Sequence, residues 1–142
     1  MIKKLAISAI VLASSFLTAS EVNVYSHRHY DSDKILFKKF EETTGIKVNI
    51  VTAKAEELVS KLAIEGENTP ADVLITADIG NLHEAKSRNL LQTIDSNTLN
   101  TNIPAHLRDA NKEWFALTKR ARIFVYNPEK INEADLSDYL SL

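Results

Sequence analysis

Val22-Asn23-Val24-Tyr25 alternates apolar and polar positions and is rich in β-formers, which predicts a strand. His27 to Ser32 then interrupts the pattern with polar residues. Asp31 or Ser32 is placed to cap a helix over about Asp33 to Thr43. Leu36 and Phe40 sit one turn apart on it, and Gly45 follows as a C-cap. Ile46 to Val51 alternates again as a second strand. Glu56 to Glu65 reads as a helix with Leu58, Val59, Leu62 and Ala63 along one side, stopped by Gly66. Asp72-Val73-Leu74-Ile75 is a short apolar run of the kind found in buried parallel strands. Strand–helix–strand–helix–strand with crossovers of this length implies a parallel sheet with right-handed connections.

The second half is less regular. Gly80 to Arg88 predicts a shorter helix, and Asn97 to Arg108 is turn-rich around Pro104. Trp114-Phe115-Ala116-Leu117 and Ile123-Phe124-Val125-Tyr126 predict two strands around the basic turn Lys119-Arg120-Ala121-Arg122, the second ended by Asn127-Pro128. The extreme start follows a different pattern. Lys3 and Lys4 precede the thirteen-residue apolar run Leu5 to Leu17, and Thr18-Ala19-Ser20 leads into the first acid, Glu21. That is the form of a cleaved secretory signal over residues 1–20. The run falls short of the ~20 residues needed to span a bilayer. Cleavage leaves about 122 of the 142 residues, and losing Lys3 and Lys4 takes the formal charge from −2 to −4.

Composition narrows the chemistry. Apolar residues at 44 % and charged residues at 25 % describe an ordinary globular chain. The absence of cysteine removes disulfides, thiol catalysis, Cys-ligated zinc and a lipid-anchor cysteine. A net negative charge argues against nucleic acid as a partner. Gly45, Gly66 and Gly80 lie far apart, so neither G-x-G-x-x-G nor a P-loop exists, and G-x-S-x-G and H-E-x-x-H are absent.

One polar cluster remains, His27-Arg28-His29-Tyr30-Asp31, where the first strand gives way to the first helix. In an open parallel sheet, ligands bind beyond the carboxyl ends of the strands. Thr76-Ala77-Asp78 belongs to the same edge. His27 and His29 share a face if the strand continues. Nitrogen and oxygen donors without sulfur suit hard or borderline ions, whereas a solvated turn collects the same residue types. Both readings stay open on spacing alone. His83 and His106 read as surface residues, and Asp95-Ser96-Asn97 as a cap or turn. Lys119-Arg120-Ala121-Arg122 is either a solvated turn or a source of a guanidinium over a cleft.

Four strings together carry a family resemblance. They are Val24-Tyr25-Ser26-His27-Arg28-His29-Tyr30, Phe40-Glu41-Glu42-Thr43-Thr44-Gly45-Ile46-Lys47-Val48, Glu65-Gly66-Glu67-Asn68-Thr69-Pro70-Ala71-Asp72-Val73-Leu74, and Trp114 to Arg122 with Val125-Tyr126-Asn127. In order and spacing they resemble the bacterial periplasmic ferric-iron-binding proteins, the solute receptors of iron(III) ABC importers. The resemblance implies an α/β, type II periplasmic-binding-protein-like fold with a mostly parallel sheet flanked by helices. Residues 21–122 would form the first lobe, and 123–142 the hinge strand and truncated start of a second lobe that is essentially missing. It implies a periplasmic binding protein rather than an enzyme. The chain would capture iron(III), with a synergistic anion such as carbonate, and deliver it as a monomer to an inner-membrane permease. His29 and Tyr30 fall on the first-lobe metal ligands, and Arg120 on an arginine beside the tyrosine cluster. Other branches place a Glu after the third strand, where this chain has Ala77. The alternatives are a receptor for an oxyanion or small organic acid, held by Arg120 and helix starts, or a truncated product that docks through an exposed half-core.

Overall fold

A computed structural model describes residues 20–121, 123 and 125–136. The expected signal segment, Arg122, Phe124 and the last six residues lie outside them. The described chain falls into two compact units, one ending at Thr93 and one beginning at Ile94.

The first unit is built on three parallel strands, β1 (Glu21–Ser26), β2 (Lys47–Thr52) and β3 (Val73–Ile75), in the order β2-β1-β3. β1 pairs with β2 from Glu21↔Lys47 to Ser26↔Thr52, and with β3 from Val24↔Val73 to Ser26↔Ile75. Helices α1 (Asp31–Thr44) and α2 (Ala55–Glu65) make the crossovers, and α3 (Ile79–Ser87) follows β3. The chain steps from β1 to β2 in one direction and back past β1 to β3 in the other. Right-handed crossovers therefore put α1 and α2 on opposite faces of the sheet.

The two faces differ. Side chains alternate along a strand, so Tyr25 and Val24 point to opposite sides. Tyr25 packs with Leu58 and Leu62 of α2, flanked by Ala53, Ala71, Leu74 and Leu90. Ala55 and Val59 are buried beside them, while Ala63, expected on this side, is exposed. At 100° per residue Ala63 has turned past the buried stripe. The Tyr25 hydroxyl donates to the Glu65 carboxylate at 3.0–3.1 Å, and Lys61 and Thr69 donate to the same group. On the opposite face, where the crossover places α1, Ile50 and Val73, cross-strand neighbours of Val24, stay exposed among the described residues. Leu36 and Phe40 form the expected one-turn pair but are also exposed, and α1 buries no residue fully.

The ends of α1 decide its length. Gly45 adopts φ 71° and donates its N–H to Glu41 O, closing the helix as its position predicts. The N-terminus departs from expectation. The helix starts at Asp31, Tyr30 occupies the N-cap, and no side chain caps it. Asp31 pairs with Lys34 and Asp33 with Arg28, so the first-turn carboxylates complement the helix dipole rather than close the end.

The second unit holds α4 (Asn97–Asn102), capped by Ser96 through the Leu99 N–H, and a 3-10 turn at Ala105–Leu107. The strand expected over Trp114–Leu117 is reduced to a single antiparallel bridge, Arg108↔Phe115. A strand needs a neighbouring ladder to persist, and Leu107–Asp109 supplies only a short one. The companion strand over Ile123–Tyr126 includes Phe124, outside the described residues; Ile123, Val125 and Tyr126 form no strand. Among the described residues, no helix is long and apolar enough to cross a membrane.

Candidate metal centre

β1 is the central strand: the chain leaves it through α1 for β2 on one side, then returns past it to β3 on the other. Its carboxyl end is therefore a topological switch point, where crevices open in α/β sheets. Ser26 closes the strand. Its buried hydroxyl accepts from the Arg28 N–H at 3.1 Å and donates to Arg28 O at 3.0 Å. The His27 N–H reaches Ile75 O at 2.9 Å, extending the β1–β3 ladder by one bond. At the other end of the loop, Tyr30 O accepts the Asp33 N–H at 3.0 Å. The five-residue segment is thus tied to the sheet and to α1 at both ends.

Because the strand stops at Ser26, His27 and His29 do not share a face. His27 is half-buried with Nδ1 shielded from solvent, while His29 is exposed. His29 and Tyr30 stack, with centroids 5.6 Å apart and planes inclined by 21°. Tyr30 is 45 % exposed. The Arg28 guanidinium carbon lies 5.1 Å from the Tyr30 ring centroid. Nε and Nη2 of Arg28 each donate to one Asp33 oxygen at 2.9 Å, and the two side chains are only 15 % and 13 % exposed. The Asp33 hydrogen bonds raise the Arg28 pKa further, against the lowering effect of burial. This fork was not legible as a functional feature; the only trace in sequence is a cation and an anion five residues apart across the strand-to-helix turn.

The other expected residues divide. Asp78 is occupied in capping α3, accepting the Asn81 N–H, and Ala77 offers no donor. His83 and His106 are surface residues, as expected. Arg120 lies exposed in the second unit. Two concavities of about 360 and 230 Å³ also belong to that unit, lined around Pro128–Glu133 and around Ile103 and Leu117. Among the described residues, no group of three or more His, Asp or Glu side chains is arranged to hold a metal ion. The pair His29–Tyr30 presents one borderline imidazole nitrogen and one hard phenol oxygen, a partial set of donors.

A parallel α/β unit with a polar loop beyond its central strand is an architecture in which ligands bind at the carboxyl ends of the strands. Residues 27–139 match the bacterial extracellular solute-binding proteins, and the chain belongs to that family. Its fold is periplasmic-binding-protein-like. The ferric binding protein from Campylobacter jejuni superimposes with a TM-score of 0.79 at 55 % identity, over 84 % of this chain and 38 % of that one. Trichodesmium FutA (IdiA), solved in complex with iron and citrate ligands, gives 0.79 at 45 % over the same shares. Iron uptake protein A1 of Synechocystis is 45 % identical over 122 residues, 86 % of this chain and 34 % of that protein. The chain thus spans little more than a third of the length of these relatives.

Proposed function

We propose that this chain contributes the first lobe of a periplasmic iron(III) receptor, with His29 and Tyr30 as its metal ligands. The observation that carries the reading is the stacked, solvent-facing His29–Tyr30 pair at the carboxyl end of the central strand. It occurs in a chain 55 % identical to a ferric binding protein. Iron(III) is a small, hard cation that favours phenolate oxygen. Its charge promotes loss of the phenol proton, and imidazole binds it in the neutral form. Two ligands leave most of the coordination sphere open. A second lobe and a small anion such as carbonate would supply the rest, and Arg120 would take the part of the arginine found near the family's tyrosine cluster. In this reading residues 1–20 direct export, 21–122 form the first lobe, and 123–142 begin the crossing to the second. The loaded protein would pass its cargo to an inner-membrane ABC permease. The role is capture and delivery without catalysis.

The test is a titration of residues 21–142 with chelated iron(III), followed by the visible phenolate-to-iron charge-transfer band. A band abolished by Tyr30→Phe and weakened by His29→Ala supports the assignment. The same titration is run on a chimera that carries the remaining length of the Campylobacter protein. No band in either protein overturns it. Anion binding that survives Tyr30→Phe without colour would point instead to an oxyanion receptor.

A further inference from the structure

The donor pair raises a question of order. Tyr30 sits at the N-cap of α1, outside the apolar cluster, with nearly half its surface in water. A tyrosine in that position has several side-chain rotamers open to it, whereas a ligand must be held within about 0.5 Å of its working position. The ring contacts described for Tyr30 are His29, itself exposed, and Arg28. Arg28 is the anchored one. Its guanidinium plane is fixed by two parallel hydrogen bonds to Asp33, in a largely buried pair. Asp33 is in turn held by the first turn of α1, where its N–H bonds Tyr30 O. The path from helix to ring is continuous: Asp33 backbone, Asp33 carboxylate, Arg28 fork, Tyr30 face.

We infer that Asp33 is a positioning residue for Tyr30, acting through Arg28. A bidentate fork defines the orientation of a planar guanidinium, which a lysine ammonium cannot reproduce. The flat cation then offers the ring one preferred face. The simpler role for Asp33 is stabilisation of the α1 N-terminus through the helix dipole. The two roles differ in what Arg28→Lys does. It keeps a cation and leaves the helix end intact, yet removes the fork.

The functional part of this inference rests on Tyr30 being an iron ligand; the positioning part does not. The experiment therefore reads both. In the iron-free chain 21–142, NMR of ring-labelled tyrosine reports the Tyr30 environment. In Asp33→Asn and in Arg28→Lys, the Tyr30 ring resonances are expected to move toward those of a freely exposed tyrosine. Far-UV circular dichroism checks that α1 remains. In the chimera of relative length, each variant is expected to weaken iron binding by about tenfold, the lower end for residues that orient a ligand. The double variant should lose no more than either single one, because both act along one path. Unchanged Tyr30 resonances in both folded variants would overturn the inference, as would additive losses. Displaced resonances in a protein that binds no iron would uphold the positioning role while defeating the proposed function.

Discussion

Leu58 and Leu36 lie on the two helices that flank one sheet, and the same substitution should cost very different amounts. Leu58 has no exposed surface and packs with Tyr25 and Leu62. Leu58→Ala removes three carbons, a loss of ~2.4 kcal/mol at about 0.8 kcal/mol per buried methylene. The residual cavity between α2 and the sheet adds to this, so ~3–4 kcal/mol is expected, within the range seen for buried Leu→Ala changes. Leu36 is 63 % exposed. Only about a third of its transfer energy is at stake and no cavity forms, so Leu36→Ala should cost ~1 kcal/mol or less. Urea unfolding followed by far-UV circular dichroism reads both. With a slope of about 1–3 kcal/mol/M, Leu58→Ala moves the midpoint by more than ~1 M and Leu36→Ala by a few tenths. Equal losses would refute the asymmetry of the two faces. They would mean that the Leu36 and Phe40 flank of α1 is covered in solution.

Two tyrosines five residues apart should separate cleanly. Tyr25→Phe removes the hydroxyl that meets Glu65 and should lower the urea midpoint with the iron band retained, whereas Tyr30→Phe should do the reverse. At Gly45 a Cβ would meet no atom within 4 Å, so Gly45→Ala should cost only the left-handed backbone strain, ~1 kcal/mol by thermal or urea unfolding, and Gly45→Asn less. Glu65 is held below its ordinary carboxylate value chiefly by the Lys61 hydrogen bond, with Thr69 and Tyr25 adding to it against desolvation. A depressed carboxylate contributes stability above its ordinary pKa of 4.5 and loses it as pH falls through the folded-state value. Urea midpoints from pH 7 to pH 3 should therefore fall in the wild type and fall less in Glu65→Gln, where the lowered Asp31 and Asp95 carboxylates still contribute. Acid should also strip iron from the loaded receptor, because protons compete for phenolate and imidazole; retention of the charge-transfer band at pH 4 would contradict the ligand assignment.

The element order of the first unit was legible because each segment repeats a simple period. Val22 to Tyr25 and Ile46 to Val51 alternate, Leu58 and Leu62 lie one turn apart, and Gly45 and Gly66 stand where helices stop. The errors fall where local sequence serves two masters. Asp31 and Ser32 have good capping chemistry, yet α1 begins earlier, since the Asp33 carboxylate is engaged by Arg28 and that of Asp31 by Lys34. Trp114 to Leu117 has strong β-propensity, but propensity supplies no partner strand, and only Phe115 finds a bridge. The Arg28–Asp33 fork was invisible for a related reason: its residues are near in sequence, but their partnership depends on how sharply β1 turns into α1.

The sequence by itself determined the parallel α/β unit, the polar cluster after the first strand, and the resemblance to iron receptors. Those follow from periodicity, composition and motif order, which are local properties of the chain. Tertiary structure decided which polar residue does which job. It turned His27 inward, left His29 and Tyr30 in solvent, and joined Asp33 to Arg28 over the Tyr30 ring. It also decided that the sheet is covered well by α2 and poorly by α1. The reason is geometric: crossover handedness sends α1 and α2 to opposite faces. A residue's chemistry at a strand end depends on which neighbours that geometry brings within hydrogen-bonding reach.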